Sequence, residues 1–362
     1  MSEPAMTRRS SGGRKMPSNW KLNRRQIMAL GAGAGVAALG AMGRAHAARP
    51  LVVATWGGDN ERTIRESAGA MFQSRYGAAP LFETGTPSAR KTKLMAEAAR
   101  PVHSLDIVHL TDADLFQMQR QGYLAEIGAH NVSKYDTIID QFRTGYSVPT
   151  NFSALVLVYN KNHISSMTSW KDLWKKEYAG KIGFSDLTFN QVVPIASAVF
   201  GSGITDYASG YEALMALKEN GVRTYPSNEA VGNAFASEEI IAGIQWKGRA
   251  VQWSQAGLPL AYAMPSEGAF PASFDMGIVR NSGAPENAAH FLDIMLEQEP
   301  QLALARAIGQ SPVIKNSGIP ADLEAAVGFS EKERAEFLKL DLEYAADHDS
   351  EVLDWWNQKF KG

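Results

Sequence analysis

"LDIVHLTDADLFQMQRQG", residues 105–122, holds a strand, a turn and a helix in one short span. Leu105 to Leu110 is an apolar run of strand length. Asp112 stands where a helix running to Gln121 needs its N-terminal cap, and Gly122 supplies the stop. The same rhythm precedes it twice. "LVVATW" (51–56) is a buried strand followed by a helical stretch to Tyr76. "APLFE" (79–83) is a second strand, and the helix after it passes through Arg90 to Ala99 and ends near Pro101. Strand and helix alternating in this way predict an α/β architecture.

Downstream the pattern changes character. "YSVPTNFSALVLVYN" (146–160) is one long extended run entered through Pro149. "TSWKDLW" (168–174) reads as a capped helix start and "GKIGFSD" (180–186) as a short strand. Helices follow at 189–200, 206–220 and 227–238, with "VRTY" (222–225), "IAGIQW" (241–246), "LPLAYAM" (258–264) and "FDMGIV" (274–279) as strands. The tail from Pro285 is patterned for helix almost throughout. Two α/β halves, with the chain passing between them more than once, predict two lobes around a cleft. Ligands of such sheets lie outside the carboxyl ends of the strands. Trp56, Glu83, Thr111, Asp112, Asp186 and Trp246 hold those positions.

The first 47 residues read as an export signal. Arg24-Arg25 precede a Gly/Ala/Leu-rich stretch, and Ala45-His46-Ala47 offers a small-residue cleavage site, the pattern of a twin-arginine signal. The whole chain has 36 Lys+Arg against 38 Asp+Glu. The signal removes eight bases and one acid, leaving 28 against 37 and a net charge of −9. That sign disfavours nucleic acid and anionic membrane surfaces, and favours a cationic ligand. Cysteine is absent, which excludes disulfides, thiolate metal sites and cysteine nucleophiles. The expectation is a soluble periplasmic protein that gains its stability from an ordinary core.

Catalytic signatures are missing. No nucleophile elbow, phosphate-binding Gly-rich loop or His-Glu-x-x-His motif occurs, and the histidines lack metal-ligand spacing. The paired glycines of "WGGDN" (56–60) fit close approach of backbone to a ligand. Trp246 ends a strand, where an indole face can hold an amine by cation–π contact. Trp253, seven residues on, falls on a core-facing helical stripe with Val251, Ala256 and Leu258. Asp186 suits both a helix cap and a cleft mouth. Asp59, Glu83, Asp112, Glu267 and Asp275 are further candidate acids. Glu229 fits the first turn of a helix.

Six stretches together resemble the periplasmic solute-binding proteins of ABC importers, the spermidine/putrescine-binding group in particular. They are "LVVATWGG" (51–58), "LDIVHLTDADLFQMQRQGYLAEI" (105–127), "PTNFSALVLVYNKNHISSMTSWKDLWKKEYAGKI" (149–182), "AGIQWKGRAVQ" (242–252), "MPSEGA" (264–269) and "PENAAHFLDIMLEQEPQLALARAIGQSPV" (285–313). The resemblance implies two α/β lobes joined by hinge strands and closing over a solute. Residues 48–149 with about 274–310 would form lobe 1, and 150–273 with about 311–362 lobe 2. It implies delivery to a membrane permease by a monomer, with no cofactor, no metal and no chemistry on the ligand. Polyamine binders of this kind hold ammonium groups with carboxylates and sandwich methylenes between rings. By position, Trp56, Thr111, Asp186 and Trp246 match such contacts, with Gly57, Asp59, Asp112, Glu267 and Asp275 completing the candidate set.

Three places depart from the polyamine pattern. Gly57-Gly58-Asp59 follow Trp56 where an acid and an aromatic are usual, and Asn190-Gln191 replace a second acid. The Trp-x-Asp after the Pro-x-Glu-Gly turn becomes "FPASFD" (270–275), with Asp275 displaced by one position. A shorter amine, or an amino acid such as 4-aminobutyrate whose carboxylate meets Arg90, therefore stands beside putrescine and spermidine as the expected ligand. Ferric-ion capture has no adjacent tyrosine pair to support it. A secreted hydrolase would need a carboxylate pair such as Asp186 with Glu267.

Overall fold

The computed structural model describes residues 49–361, so the export signal expected at 1–47 lies outside the described residues. Among the described residues nine strands form one continuous sheet in the order β2-β1-β3-β9-β4-β7-β5-β6, with β8 pairing β4. They are β1 (Val52–Thr55), β2 (Leu81–Thr84), β3 (Ile107–Thr111), β4 (Val148–Asn160), β5 (Ile182–Ser185), β6 (Arg223–Tyr225), β7 (Ala242–Trp246), β8 (Leu260–Ala263) and β9 (Phe270–Ile278). Parallel β2-β1-β3 make one end of the sheet and parallel β7-β5-β6 the other.

The join between the two ends decides the architecture. All thirteen residues of β4 are buried, because the strand has neighbours on both sides and layers over both faces. Its first half pairs β9 antiparallel, and its second half pairs β7 and β8. β9 runs back the other way, from β4 to β3. The two strands thus cross between the ends together, with a register shift at Pro149/Asn151 that kinks the crossing. β9 starts at Phe270, four residues before the strand expected from sequence. Pro271 breaks the strand signal there, yet it sits where β9 has β4 as its only neighbour, and a missing N–H is tolerated.

Helices cover the sheet. In chain order they are α1 (Asp59–Ile64), α2 (Ala70–Tyr76), α3 (Pro87–Ala96), α4 (Asp112–Arg120), α5 (Phe189–Phe200), α6 (Tyr207–Glu219), α7 (Asn228–Ala236) and α8 (Lys247–Gln255). The helical tail supplies α9 (Pro285–Met295), α10 (Gln298–Ile308), α11 (Ala321–Val327), α12 (Glu331–Ala335) and α13 (Leu342–Trp355). The helix start expected at 168–174 is a 3-10 turn, Trp170–Trp174, closed by a Ser169/Asp172 capping box. Trp253 is half-buried and packs beside Phe235, with Leu258 of its expected stripe against the same cluster, whereas Ala256 is exposed at the end of α8.

The Trp-x-Gly step at the start of α8 has a packing reason. A Cβ on Gly248 would overlap the carbonyl oxygen of Gly309, the left-handed C-cap of α10. Two backbones meet there with no room for a side chain. Gly248→Ala is expected to cost about 3 kcal/mol, read as a lower denaturant midpoint.

Candidate functional site

Three rings from three strands converge where the two ends of the sheet meet. Trp56 follows β1, Trp246 ends β7, and Phe274 lies in β9 between them. Phe274 meets Trp56 edge-on at 5.6 Å and Trp246 at 5.9 Å. Trp56 also packs edge-on against His109 at 4.6 Å. His109 is buried between the hydroxyls of Thr55 (2.9 Å) and Thr150 (3.1 Å). Burial and the nearby Arg90 charge hold it well below its ordinary pKa, so it stays neutral. The Arg90 guanidinium carbon lies 4.3 Å from the centre of the Trp56 ring.

Two carboxylates belong to the same region of the sheet, Asp112 after β3 and Asp275 in β9 next in sequence to Phe274. Asp112 is the first residue of α4, and Thr111 rather than Asp112 is the cap, its hydroxyl accepting from the Asp114 N–H at 3.3 Å. That frees the Asp112 carboxylate to turn inward, where it accepts the Ala113 N–H at 2.9 Å. Asp275 is fully buried. The Ser147 hydroxyl donates to its Oδ2 at 2.6 Å, while its Oδ1 has no partner. Burial, then the charge of Asp275, pushes Asp112 up to about 7, and burial pushes Asp275 up to about 6. Burial and both charges push the neighbouring Tyr146 hydroxyl up as well. Among the described residues neither aspartate has an ion-pair partner.

The one-residue displacement in "FPASFD" now has a consequence. Side chains alternate along a strand, so Phe274 and Asp275 face opposite sides of β9. The ring joins the tryptophans, and the acid turns to Ser147. On the Ala272 side of β9, the side opposite Asp275, a cavity between α4, α5, β9 and α13 is lined by Thr111, Asp112, Asn190, Gln191, Ala272 and Asp349. The Gln191 side-chain oxygen has no partner.

The remaining expected site residues are engaged elsewhere. Asp59 is exposed on α1 and ion-paired with Arg62 at 2.6 Å, so it sits on the outer surface of the helix. Gly57 is exposed beside it. Glu83 is paired with Lys93 at 2.6 Å. Asp186 does not cap its helical turn, because Ser185 does. Its carboxylate accepts from Trp356 Nε1 at 2.6 Å and Lys361 Nζ at 2.7 Å, which ties the C-terminal segment down. Glu267 closes the Ser169–Trp170 turn through the Ser169 hydroxyl and the Trp170 N–H. Phe274, Tyr146 and Ser147 went unnoticed in the sequence, because their place follows only from how β4, β9 and β3 pair. Among the described residues no cluster of His, Cys, Asp or Glu could hold a metal ion.

The fold is that of the two-lobed periplasmic binding proteins, and the chain belongs to the bacterial extracellular solute-binding protein family, whose profile matches residues 70–330. The spermidine/putrescine-binding periplasmic protein of Salmonella typhimurium is 27% identical over 207 residues, 53% of this chain and 59% of that protein. The chain thus spans somewhat over half the length of the curated relatives it matches. An ABC transporter from Clostridium perfringens superposes with a TM-score of 0.73 at 23% identity, covering 85% of this chain and 99% of that one. A GABA receptor superposes with a TM-score of 0.74 at 20% identity, covering 85% and 97%. Among the described residues no helix is long and apolar enough to cross a membrane.

Proposed function

We propose that this chain is the periplasmic receptor of an ABC importer. It captures a small amine-bearing solute of the polyamine class and delivers it unchanged to a membrane permease. The observation that carries this reading is the pair Asp112 and Asp275, the first half-buried and the second fully buried, both raised above the ordinary aspartate range and without a cation among the described residues, in the part of the sheet where Trp56, Phe274 and Trp246 meet. A buried charge without a partner costs free energy, and an ammonium group offsets that cost while the rings cover its methylenes. The relative named as a spermidine/putrescine-binding periplasmic protein makes polyamines the first solutes to test.

In this reading Trp56, Thr111, Asp112, Trp246 and Asp275 contact or orient the solute, and Gly57 leaves the cleft mouth open. Lobe 1 takes residues 48–149 with about 274–310, and lobe 2 takes 150–273 with about 311–362. Val352, Trp356 and Phe360 of the tail share one apolar cluster with Phe184 and Ile195, which supports the second assignment. A twin-arginine signal at 1–47 would deliver a monomer to the periplasm.

Titration calorimetry of the purified full chain at pH 8 with putrescine, spermidine and 4-aminobutyrate tests the proposal. One-to-one binding of at least one at micromolar or better affinity, with the solute recovered unaltered, is expected. Binding of none, or turnover of any, would overturn it.

A further inference from the structure

His109, beside Trp56, is the middle of a buried hydrogen-bonded chain. The imidazole lies between Thr55 Oγ1 at 2.9 Å and Thr150 Oγ1 at 3.1 Å. Thr55 Oγ1 is 3.1 Å from Asn60 Oδ1 in α1, and the Thr150 hydroxyl donates to the Phe274 carbonyl at 2.8 Å. The chain thus runs Asn60–Thr55–His109–Thr150–Phe274. Thr55 is the residue before Trp56, and the far end is the backbone of Phe274. It therefore joins the bases of two rings that meet at 5.6 Å. The imidazole also props the Trp56 ring directly, edge-on at 4.6 Å.

Thr150 takes the chain into the strand crossing. β4 and β9 slip register between Pro149 and Asn151, which leaves Thr150 without a partner in β9. Side chains serve it instead. Its carbonyl accepts from Gln301 Nε2 at 2.9 Å, and its hydroxyl accepts from Asn151 Nδ2 at 3.0 Å. A threonine hydroxyl has one hydrogen and two lone pairs. With the hydrogen on the Phe274 carbonyl and one lone pair taken by Asn151, only an N–H fits the other lone pair. The neutral imidazole must then carry its hydrogen on Nε2, while Nδ1 accepts from Thr55. The half-exposed Asn60 amide can turn its N–H to Thr55 in exchange. Every donor along the chain then points the same way, from α1 to the bulge, and each bond polarises the next. The other tautomer would claim the Thr150 hydrogen and strip it from the Phe274 carbonyl.

We propose that His109 is a positioning residue of the solute cleft: as the Nε2–H tautomer it fixes the Trp56 ring and ties it to the bulge where β4 and β9 cross between the two ends of the sheet. This rests on the receptor reading above, in which Trp56 contacts the solute, and adds a residue that acts through Trp56 without touching the solute. An apolar ring in its place fills the same space but breaks the link between Trp56 and Phe274.

Nitrogen-15 NMR of the His109 ring in the unliganded full chain reads the tautomer and needs no variant to fold. The N–H is expected on Nε2. An N–H on Nδ1, or an even mixture of the two, would overturn the inference. Calorimetry at pH 8 with putrescine and spermidine reads the positioning. His109→Phe keeps a ring against Trp56 and cuts the chain, so it should lose about 10-fold in affinity for whichever of the two the wild type binds more tightly. His109→Gln, whose amide can still donate to Thr150, should recover part of the loss. Thr150→Val should lose a similar factor, and the double variant no more than the worse single one, because both cut the same chain. Wild-type affinity in a folded His109→Phe protein, or losses that multiply in the double variant, would overturn the inference and leave the receptor intact. Neither amine bound by the wild type would overturn the receptor reading, and this inference with it.

Discussion

Asp112→Asn is expected to cut affinity for the amine the wild type binds by about 100-fold at pH 8, and to make the unliganded protein more stable at the same time. The two effects have one cause. In the empty protein the Asp112 carboxyl sits at about 7 and Asp275 at about 6, both raised by burial. An acid whose pKa is higher folded than unfolded binds more protons when folded, so stability falls as pH rises from about 4 through 7. Removing the Asp112 charge lifts that penalty, by about 2 kcal/mol at pH 8. A cationic solute needs the ionised forms, so wild-type affinity should drop roughly tenfold between pH 8 and pH 6 as Asp112 takes up its proton. Calorimetry across that range, with thermal melts of the empty protein alongside, reads both. Affinity independent of pH, together with a destabilised Asp112→Asn, would contradict the account.

Trp356→Ala carries the largest expected effect on stability, about 4 kcal/mol. The ring is 1% exposed and stacks on Phe360 at 4.3 Å, with Phe184 and Phe189 around it. Truncation leaves a cavity in the cluster beneath α5 and takes away one of the two donors of Asp186. Denaturant unfolding measures the loss. Asp186→Asn is the matching control: it should lower stability by about 1–2 kcal/mol and leave amine affinity alone, because that carboxylate is spent on the C-terminal segment. A large loss of affinity in Asp186→Asn would return Asp186 to the ligand site.

The element pattern was legible where local chemistry decides it. The helix expected at 189–200 is Phe189–Phe200, and the strands expected at 51–56, 180–186 and 241–246 lie within two residues of β1, β5 and β7 at each end. Trp56 and Trp246, placed at strand ends by apolar patterning alone, do come together through Phe274. The acids were harder to read. Asp186 and Glu267 are spent on partners about 170 and 98 residues away, a pairing that no local pattern encodes. Asp112 lost the cap to Thr111, and that loss points it at the cleft.

The central claim is that Asp112 and Asp275, with raised carboxyls and no cation of their own, take the amine of the solute, and carboxyl-carbon NMR titration of the two tests it most directly. The account predicts carboxyls near 7 and 6 in the empty protein. Both should fall into or below the ordinary aspartate range once an amine is bound. Ordinary values in the empty protein, or raised values that the bound solute leaves unmoved, would contradict it.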